Sequence, residues 1–273
     1  MQSKPQIITL SHFSPAQIAD SGQCFRMKNI DAETVSVLAG NRHITVRTLG
    51  EDRFAFDCGK QAFETFWRGY FDLDPAYDTY VKNVPPSDSY MQQAIKAGKG
   101  LRILRQDPWE TLITFLLSQR KAIPLIKRSV ELMCERFGDP IGDGLYAFPT
   151  PEQLASADVD ALAACGLGYR TKYVAKTAEL AAKGELCLDE LAALSDEQLK
   201  KQLMALYGVG VKVASCVMLF GYHRLDLVPV DVWMDRVAKE HYGGTFPYAG
   251  AGSYAGVLQQ YVFEYIREEY GRK

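Results

Sequence analysis

Leu206-Tyr207-Gly208-Val209-Gly210-Val211-Lys212-Val213-Ala214 is the stretch that decides the fold. Two glycines one residue apart make a tight turn that feeds directly into an apolar helix. Upstream, Ser195-Asp196-Glu197-Gln198 is a capping box, with Leu194 and Leu199 placed as a hydrophobic staple, and it opens a helix through Ala205. Downstream, the periodicity predicts a second helix from Lys212 to about Phe220. The unit is a helix–hairpin–helix. Nineteen residues beyond Lys212, Asp231 stands in Val228-Pro229-Val230-Asp231-Val232, where another helix should begin.

The chemistry of these residue types is specific. Gly208 and Gly210 permit positive φ and the close approach of another backbone. The amides of Gly208, Gly210 and Val211 have few intrahelical partners, so they can hold a phosphate without reading a base sequence. A bare Gly-x-Gly serves equally well as a turn between packed helices; the full Leu-x-Gly-Val-Gly-x-Lys-Val-Ala pattern is much more specific. A lysine at a helix N-terminus opposes the macrodipole by about 0.3–1 kcal/mol. That placement favours the neutral amine a nucleophile needs. Asp231 reads both as an N-cap and as a rigid carboxylate facing a developing positive charge, and the two roles are compatible.

Around this core the chain has 273 residues, 47% hydrophobic and 23% charged, with a net charge of −2. That composition is globular, and no apolar run reaches the roughly 18 residues of a membrane helix. The start, Met1-Gln2-Ser3-Lys4-Pro5, has no signal-peptide pattern. Six scattered cysteines form no CxxC pair and no metal spacing, which suits free thiols in a reducing cytoplasm and excludes a C-terminal iron–sulfur cluster. Charge is unevenly distributed. Lys99, Arg102, Arg105, Arg120, Lys121, Lys127 and Arg128 face only Asp107 and Glu110, and Arg170, Lys172, Lys176 and Lys183 face only Glu179. Solvated helix faces explain such islands in isolation; flanking a glycine hairpin, they favour a groove for a polyanion.

The first ~60 residues alternate with a period of two, predicting strands at Gln6–Leu10, Cys24–Asn29, Thr34–Leu38, His43–Thr48 and Arg53–Asp57, with a hairpin turn at Gly40-Asn41. From Gln61 the period becomes helical, with Phe63, Phe66, Trp67 and Tyr70 on one face. After about residue 88 everything reads as helix with short connections. Asp107-Pro108-Trp109-Glu110 and Thr150-Pro151-Glu152-Gln153 both mark helix starts. The expected class is α+β: an N-terminal antiparallel β-sheet domain with helices over residues 1–97, then a mostly α-helical helix–hairpin–helix region in two subdomains over residues 98–273.

Leu206–Ala214 together with Val228–Val232 closely resembles the 8-oxoguanine DNA glycosylase/AP lyase family of the helix–hairpin–helix (HhH-GPD) DNA glycosylase superfamily. Ser21-Gly22-Gln23-Cys24-Phe25-Arg26, Leu104-Arg105-Gln106-Asp107-Pro108, Leu167-Gly168-Tyr169-Arg170, and Tyr254-Ala255-Gly256 with Gln259 and Phe263 resemble its motifs in the same order. The resemblance implies a substrate of double-stranded DNA containing an oxidised purine, with the damaged nucleotide flipped out of the stack. It makes Lys212 the amine that attacks C1′ and Asp231 the carboxylate that stabilises the sugar cation. It gives base recognition to Gly22, whose carbonyl accepts from N7–H, to Gln259 at the Watson–Crick edge, and to Cys216 and Phe263 as a sandwich. DNA contacts fall to Gly208, Gly210, Val211, Arg120, Lys121, Tyr169, Arg170 and Trp233. It implies no cofactor and no catalytic metal, beyond a structural monovalent or calcium cation at the hairpin. A monomer in the cytoplasm, or with the nucleoid in a bacterium, is expected, without membrane partners.

The sequence also departs from that family. Where relatives carry an asparagine-rich stretch that fills the gap left by the flipped base, this chain has Ser118-Gln119-Arg120-Lys121-Ala122, so Arg120 is the candidate plug. Leu125 replaces one of two arginines that read the opposite cytosine, Arg170 matching the other. Trp233 replaces a histidine near the phosphate, and Tyr207 the hairpin proline. These changes leave the lyase chemistry intact and imply a weaker preference for cytosine opposite the lesion. A glycosylase for alkylated bases would ordinarily lack Lys212, and a non-catalytic helix–hairpin–helix protein would leave Asp231, Gln259 and Phe263 as coincidences.

Overall fold

The computed structural model describes residues 4–250, 252 and 254–271. Strands β1 (Gln6–Thr9), β2 (Met27–Asn29), β3 (Thr34–Ala39), β4 (Arg42–Thr48) and β5 (Arg53–Phe56) form one sheet in the order β1-β5-β4-β3-β2. Two short strands, β6 (Pro140–Gly142) and β7 (Leu145–Tyr146), form a separate ribbon. The principal helices are α1 (Pro15–Asp20), α2 (Ser89–Ala97), α3 (Pro108–Ser118), α4 (Ile123–Phe137), α5 (Thr171–Ala182), α6 (Asp196–Met204), α7 (Val211–Phe220), α8 (Val232–His241) and α9 (Ala255–Gly271). No helix among the described residues is long and apolar enough to cross a membrane.

The chain forms two compact units, each assembled from separated segments. The first comprises Met1–Ser36, Ile44–Arg105 and His223–Lys273; the second comprises Val37–His43 and Gln106–Tyr222. In the first, β5 pairs antiparallel with both β1 and β4, Phe56 standing opposite Gln6 on one side and Val46 on the other. Alternation works as its period demands: Val35, Val37 and Ala39 are buried along β3, and Ile44 and Val46 along β4. The core against the sheet is aromatic, with Phe56 meeting Phe63 and Phe71 edge-on at 5.1 and 5.5 Å. The expected helical stretch after Gln61 forms, widening to a π-turn over Phe63–Trp67.

One expected strand is mostly absent. Of Cys24–Asn29 only Met27–Asn29 is extended, and Ser21–Arg26 runs in bends. In this bend the buried Gln23 side chain is tied to a distant segment. Its Nε2 donates to the Arg102 carbonyl at 2.9 Å and its Oε1 accepts the Leu104 amide at 2.9 Å. Gly22 turns the chain ahead of it at φ 78°. The β6–β7 ribbon is the other surprise, a hairpin inside the region that reads as helical; three successive positive φ values at Gly142, Asp143 and Gly144 close it.

In the second unit α7 is central. Val213, Ala214, Cys216, Val217, Met218, Leu219 and Phe220 are all buried, which is why this helix is apolar nearly all round. It packs on α3 and α6, and Phe220 stacks on Phe115 at 5.4 Å. The capping boxes form as the sequence implies at Thr150/Gln153 and Ser195/Gln198.

Candidate active site and nucleic-acid interface

The hairpin is built from two glycines with different duties. Gly208 sits at φ 90°, where an L-residue is strained, and a Cβ there would lie 2.4 Å from the ring of Tyr173. Gly210 has φ −94°, so the positive φ that glycine permits is used at Gly208 and not at Gly210. A Cβ at Gly210 would meet nothing within 4 Å. Neither backbone nor packing requires glycine there; what it leaves is open space in front of the first-turn amides of α7, which have no intrahelical acceptor. As N-cap, Gly210 brings no capping side chain. Tyr207, half exposed, meets Tyr173 edge-on at 5.1 Å and carries the Lys176 ammonium 4.4 Å above its ring.

Beside the hairpin is a cavity of about 240 Å³ lined by Phe115, Ser118, Gln119, Arg120, Gly210, Lys212, Val213 and Cys216. Lys212 and Cys216 reach it together because four residues along a helix return to one face. Lys212 is exposed, and Cys216 is buried. Arg120 enters from the turn after α3, in the left-handed region at φ 50°, a conformation that costs an L-residue about 1–2 kcal/mol.

The surroundings hold that turn. Arg170 is only 7% exposed. Its Nε donates to the Gln119 carbonyl at 2.9 Å, as does one Nη2 bond; Nη2 also reaches the Arg120 carbonyl at 3.4 Å, and Nη1 the Leu167 carbonyl at 3.2 Å. Tyr169, half exposed, lies 4.4 Å from the same guanidinium and donates its hydroxyl to Gln119 at 3.4 Å. Lys121 donates to the Gly166 carbonyl at 2.9 Å and to the Ser129 hydroxyl. Burial, and then the nearby Arg170 charge, push the Lys121 ammonium below the usual lysine range. Gln119 completes the set: its Nε2 donates to Leu116 at 3.2 Å and to the Gly208 carbonyl at 3.1 Å. Leu125 is exposed on the first turn of α4.

The remaining expected site residues belong to the first unit. Asp231 is the N-cap of α8, its Oδ1 accepting the Trp233 and Met234 amides, both at 3.0 Å. Trp233 packs near Tyr270 with ring centroids 5.5 Å apart. Gln259 is buried on α9 and its Oε1 accepts from Gln260 at 3.1 Å. Phe263, half-buried, has the Arg267 guanidinium 5.7 Å from its ring. Gly22 lies in the bend that Gln23 anchors. Gln119 and Tyr173 were missed by motif reasoning. Both act on main chain or on a missing Cβ, and neither has a sequence signal.

Two family models match consecutive stretches of the chain. The 8-oxoguanine DNA glycosylase N-terminal domain matches residues 7–112, and the HhH-GPD superfamily base excision DNA repair protein matches residues 113–245. Among solved structures, MBOgg1 in complex with a low-affinity DNA ligand superposes with a TM-score of 0.90 at 34% identity, covering 98% of this chain and 99% of that one. The chain belongs to the 8-oxoguanine DNA glycosylase/lyase family. The Clostridium acetobutylicum 8-oxoguanine glycosylase/lyase, in complex with double-stranded DNA containing cytosine opposite 8-oxoG, gives a TM-score of 0.87 at 30% identity over 98% of this chain and 99% of that one. The N-glycosylase/DNA lyase of Saccharomyces cerevisiae is 38% identical over 203 residues, 68% of this chain and 54% of the yeast protein. The chain therefore spans about half the length of that relative.

Proposed function

We propose that the protein is a bifunctional DNA glycosylase/lyase that excises 8-oxoguanine from duplex DNA and then nicks the strand. The observation that carries this is the cavity holding Lys212 beside the open space at Gly210, next to the first-turn amides of α7. A phosphate held at those amides puts a deoxyribose near the lysine, and an alkylated-base glycosylase would have no use for that amine. Open space at Gly210, with no structural demand for glycine, supports close approach by a ligand backbone.

In the proposed reaction the neutral Lys212 nitrogen bonds to C1′ as the bond from C1′ to the base breaks. The base leaves with the electron pair and takes up a proton. Sugar-ring opening gives a protonated Schiff base, and loss of a proton from C2′ expels the 3′ phosphate. Asp231, held rigid by its two capping bonds, is assigned electrostatic stabilisation of the cationic sugar. Gly22, Cys216, Gln259 and Phe263 are assigned to the base, and Trp233, Lys121 and Tyr169 to the phosphates. A monovalent or calcium cation could share the Leu206 and Gly208 carbonyls, which already accept Val209 and Gln119 and each keep a lone pair; no step of the chemistry runs through it. The protein acts as a monomer in this proposal.

The test is covalent trapping. Incubated with an 8-oxoguanine duplex and borohydride, wild type should form a protein–DNA adduct and Lys212→Gln should not. No adduct with wild type, or an undiminished one with the variant, refutes the mechanism.

A further inference from the structure

Gln119 has no role in the motif pattern, yet it links three elements around the cavity. Its side-chain amide joins the last turn of α3, through the Leu116 carbonyl, to the hairpin, through the Gly208 carbonyl. Its own carbonyl receives the Arg170 guanidinium and the Tyr169 hydroxyl. We infer that Gln119 is a positioning residue, making the phosphate-holding hairpin and the Arg120 turn a single rigid body. The inference rests on the glycosylase reading above.

The physical case begins with Arg120. A non-glycine residue keeps a left-handed conformation only where its surroundings over-determine it, and Arg120 has φ 50°. Arg170 supplies part of that constraint by bridging the Gln119 and Arg120 carbonyls, which flank the Arg120 Cα. With its fork engaged on main-chain oxygens and its side chain buried, Arg170 holds the turn, and Arg120 is the guanidinium left to enter the base stack. Arg170 alone would fix the shape of the turn, not its distance from the hairpin. That distance is set by Gln119, whose donor spans to Gly208, 89 residues away in sequence. Arg120 and Gly210 line one cavity with Lys212, so an error in this distance separates the plug from the phosphate it must work beside. Misplacement by about 1 Å costs on the order of 100-fold in rate; loss of one tether among several should cost less.

A double-mutant cycle tests this. Single-turnover excision of 8-oxoguanine opposite cytosine is measured for wild type, Gln119→Ala, Arg120→Ala and the double variant. Gln119→Ala should slow wild type about tenfold, as expected when a hydrogen-bonded tether is lost. In the Arg120→Ala background the same change should cost less than about twofold, because nothing remains to be positioned. A general loosening of the fold would slow both backgrounds alike. Equal losses in the two backgrounds, or no loss in wild type, overturn the positioning role. Should Gln119→Ala unfold below the assay temperature, Gln119→Met replaces it, keeping length and volume without the donor. A wild type that excises nothing overturns the glycosylase reading and the positioning role with it; an active wild type with additive variants overturns the positioning role alone.

Discussion

Substituting alanine at Gly208 and Gly210 separates the fold of the hairpin from its function. At Gly208 the new Cβ meets two difficulties. The backbone lies at φ 90°, a region costing an L-residue about 1–2 kcal/mol. The Cβ would also lie 2.4–2.6 Å from three ring atoms of Tyr173. That ring sits edge-on between Tyr169 at 5.8 Å and Tyr207 at 5.1 Å and has little room to withdraw, so overpacking adds about 1–3 kcal/mol. The expected loss is about 2–5 kcal/mol, a fall in Tm of about 5–15 °C for a protein of this size. At Gly210 the backbone is ordinary and the Cβ meets nothing. Replacing a glycine N-cap by alanine costs about 0.5–1 kcal/mol, offset by about 0.4–1 kcal/mol from a less flexible unfolded chain. Stability should therefore stay within about 2 °C of wild type. DNA binding should not, because the methyl occupies the space a phosphate oxygen needs to come within about 3 Å of the amides. One charge-assisted bond lost is about 1.5–3 kcal/mol, roughly 10- to 100-fold in Kd. The measurements are thermal unfolding by circular dichroism, and fluorescence anisotropy on an abasic-site duplex at fixed salt. Gly208→Ala melting with wild type, or Gly210→Ala binding like wild type, refutes the division of labour.

Asp72 tests the core of the first unit. Its carboxylate, 1% exposed, accepts from Tyr77 at 2.8 Å and Arg105 at 2.9 Å and lies 3.5 Å from His223. Burial opposes its ionisation, but the His223 and Tyr77 hydrogen bonds and the Arg105 charge outweigh it and hold the group below the usual carboxylate range. A depressed folded pKa adds stability above the unfolded value, about 4, and that stability is lost as pH falls through the folded value. Asp72→Asn should cost about 3 kcal/mol at pH 7, with the gap to wild type closing below pH 4; parallel denaturant midpoints from pH 7 to 3 would contradict this. Leu125→Arg adds a guanidinium at an exposed position, so it should leave Tm within about 2 °C and raise the ratio of excision opposite cytosine to excision opposite adenine about tenfold, the value of one good base contact. An unchanged ratio would remove Leu125 from opposite-base reading.

Legibility of the fold followed locality. The helix–hairpin–helix was readable within a residue or so, since Ser195 caps Asp196–Met204 and Gly210 opens Val211–Phe220, and both signals lie within four residues of what they control. Four of the five strands were placed the same way. The failure at Cys24–Arg26 has a different origin. Apolar spacing there is strand-like, but the neighbouring Gln23 side chain is committed to the main chain of Arg102 and Leu104, about 80 residues away, a link that local spacing does not signal. The clamp on Arg120 is hidden for the same reason. Carbonyl oxygens are its acceptors, and every residue type has one, so nothing in the pattern around 119, 170 or 208 signals that they meet. Glycine was legible as a turn, but which of the two glycines needs its φ was not.

The division between what was and was not legible also locates specificity. Lys212 and Cys216 share one face of α7, and Val213, Ala214, Val217, Met218, Leu219 and Phe220 are buried; a helix anchored by so many buried side chains cannot shift the proposed nucleophile without disturbing the core. The amine is therefore placed by the part of the molecule with the least freedom to vary. Arg120, by contrast, stands on a turn whose geometry depends on three hydrogen-bonding side chains, Gln119, Lys121 and Arg170. Substituting any one of these would re-aim Arg120 without touching the apolar core. The proposed chemistry, built on the helix, and the proposed recognition, built on the turn, can thus change independently, so substitutions at 119–121, 125 and 170 should alter which duplex is cut before they alter whether Lys212 reacts.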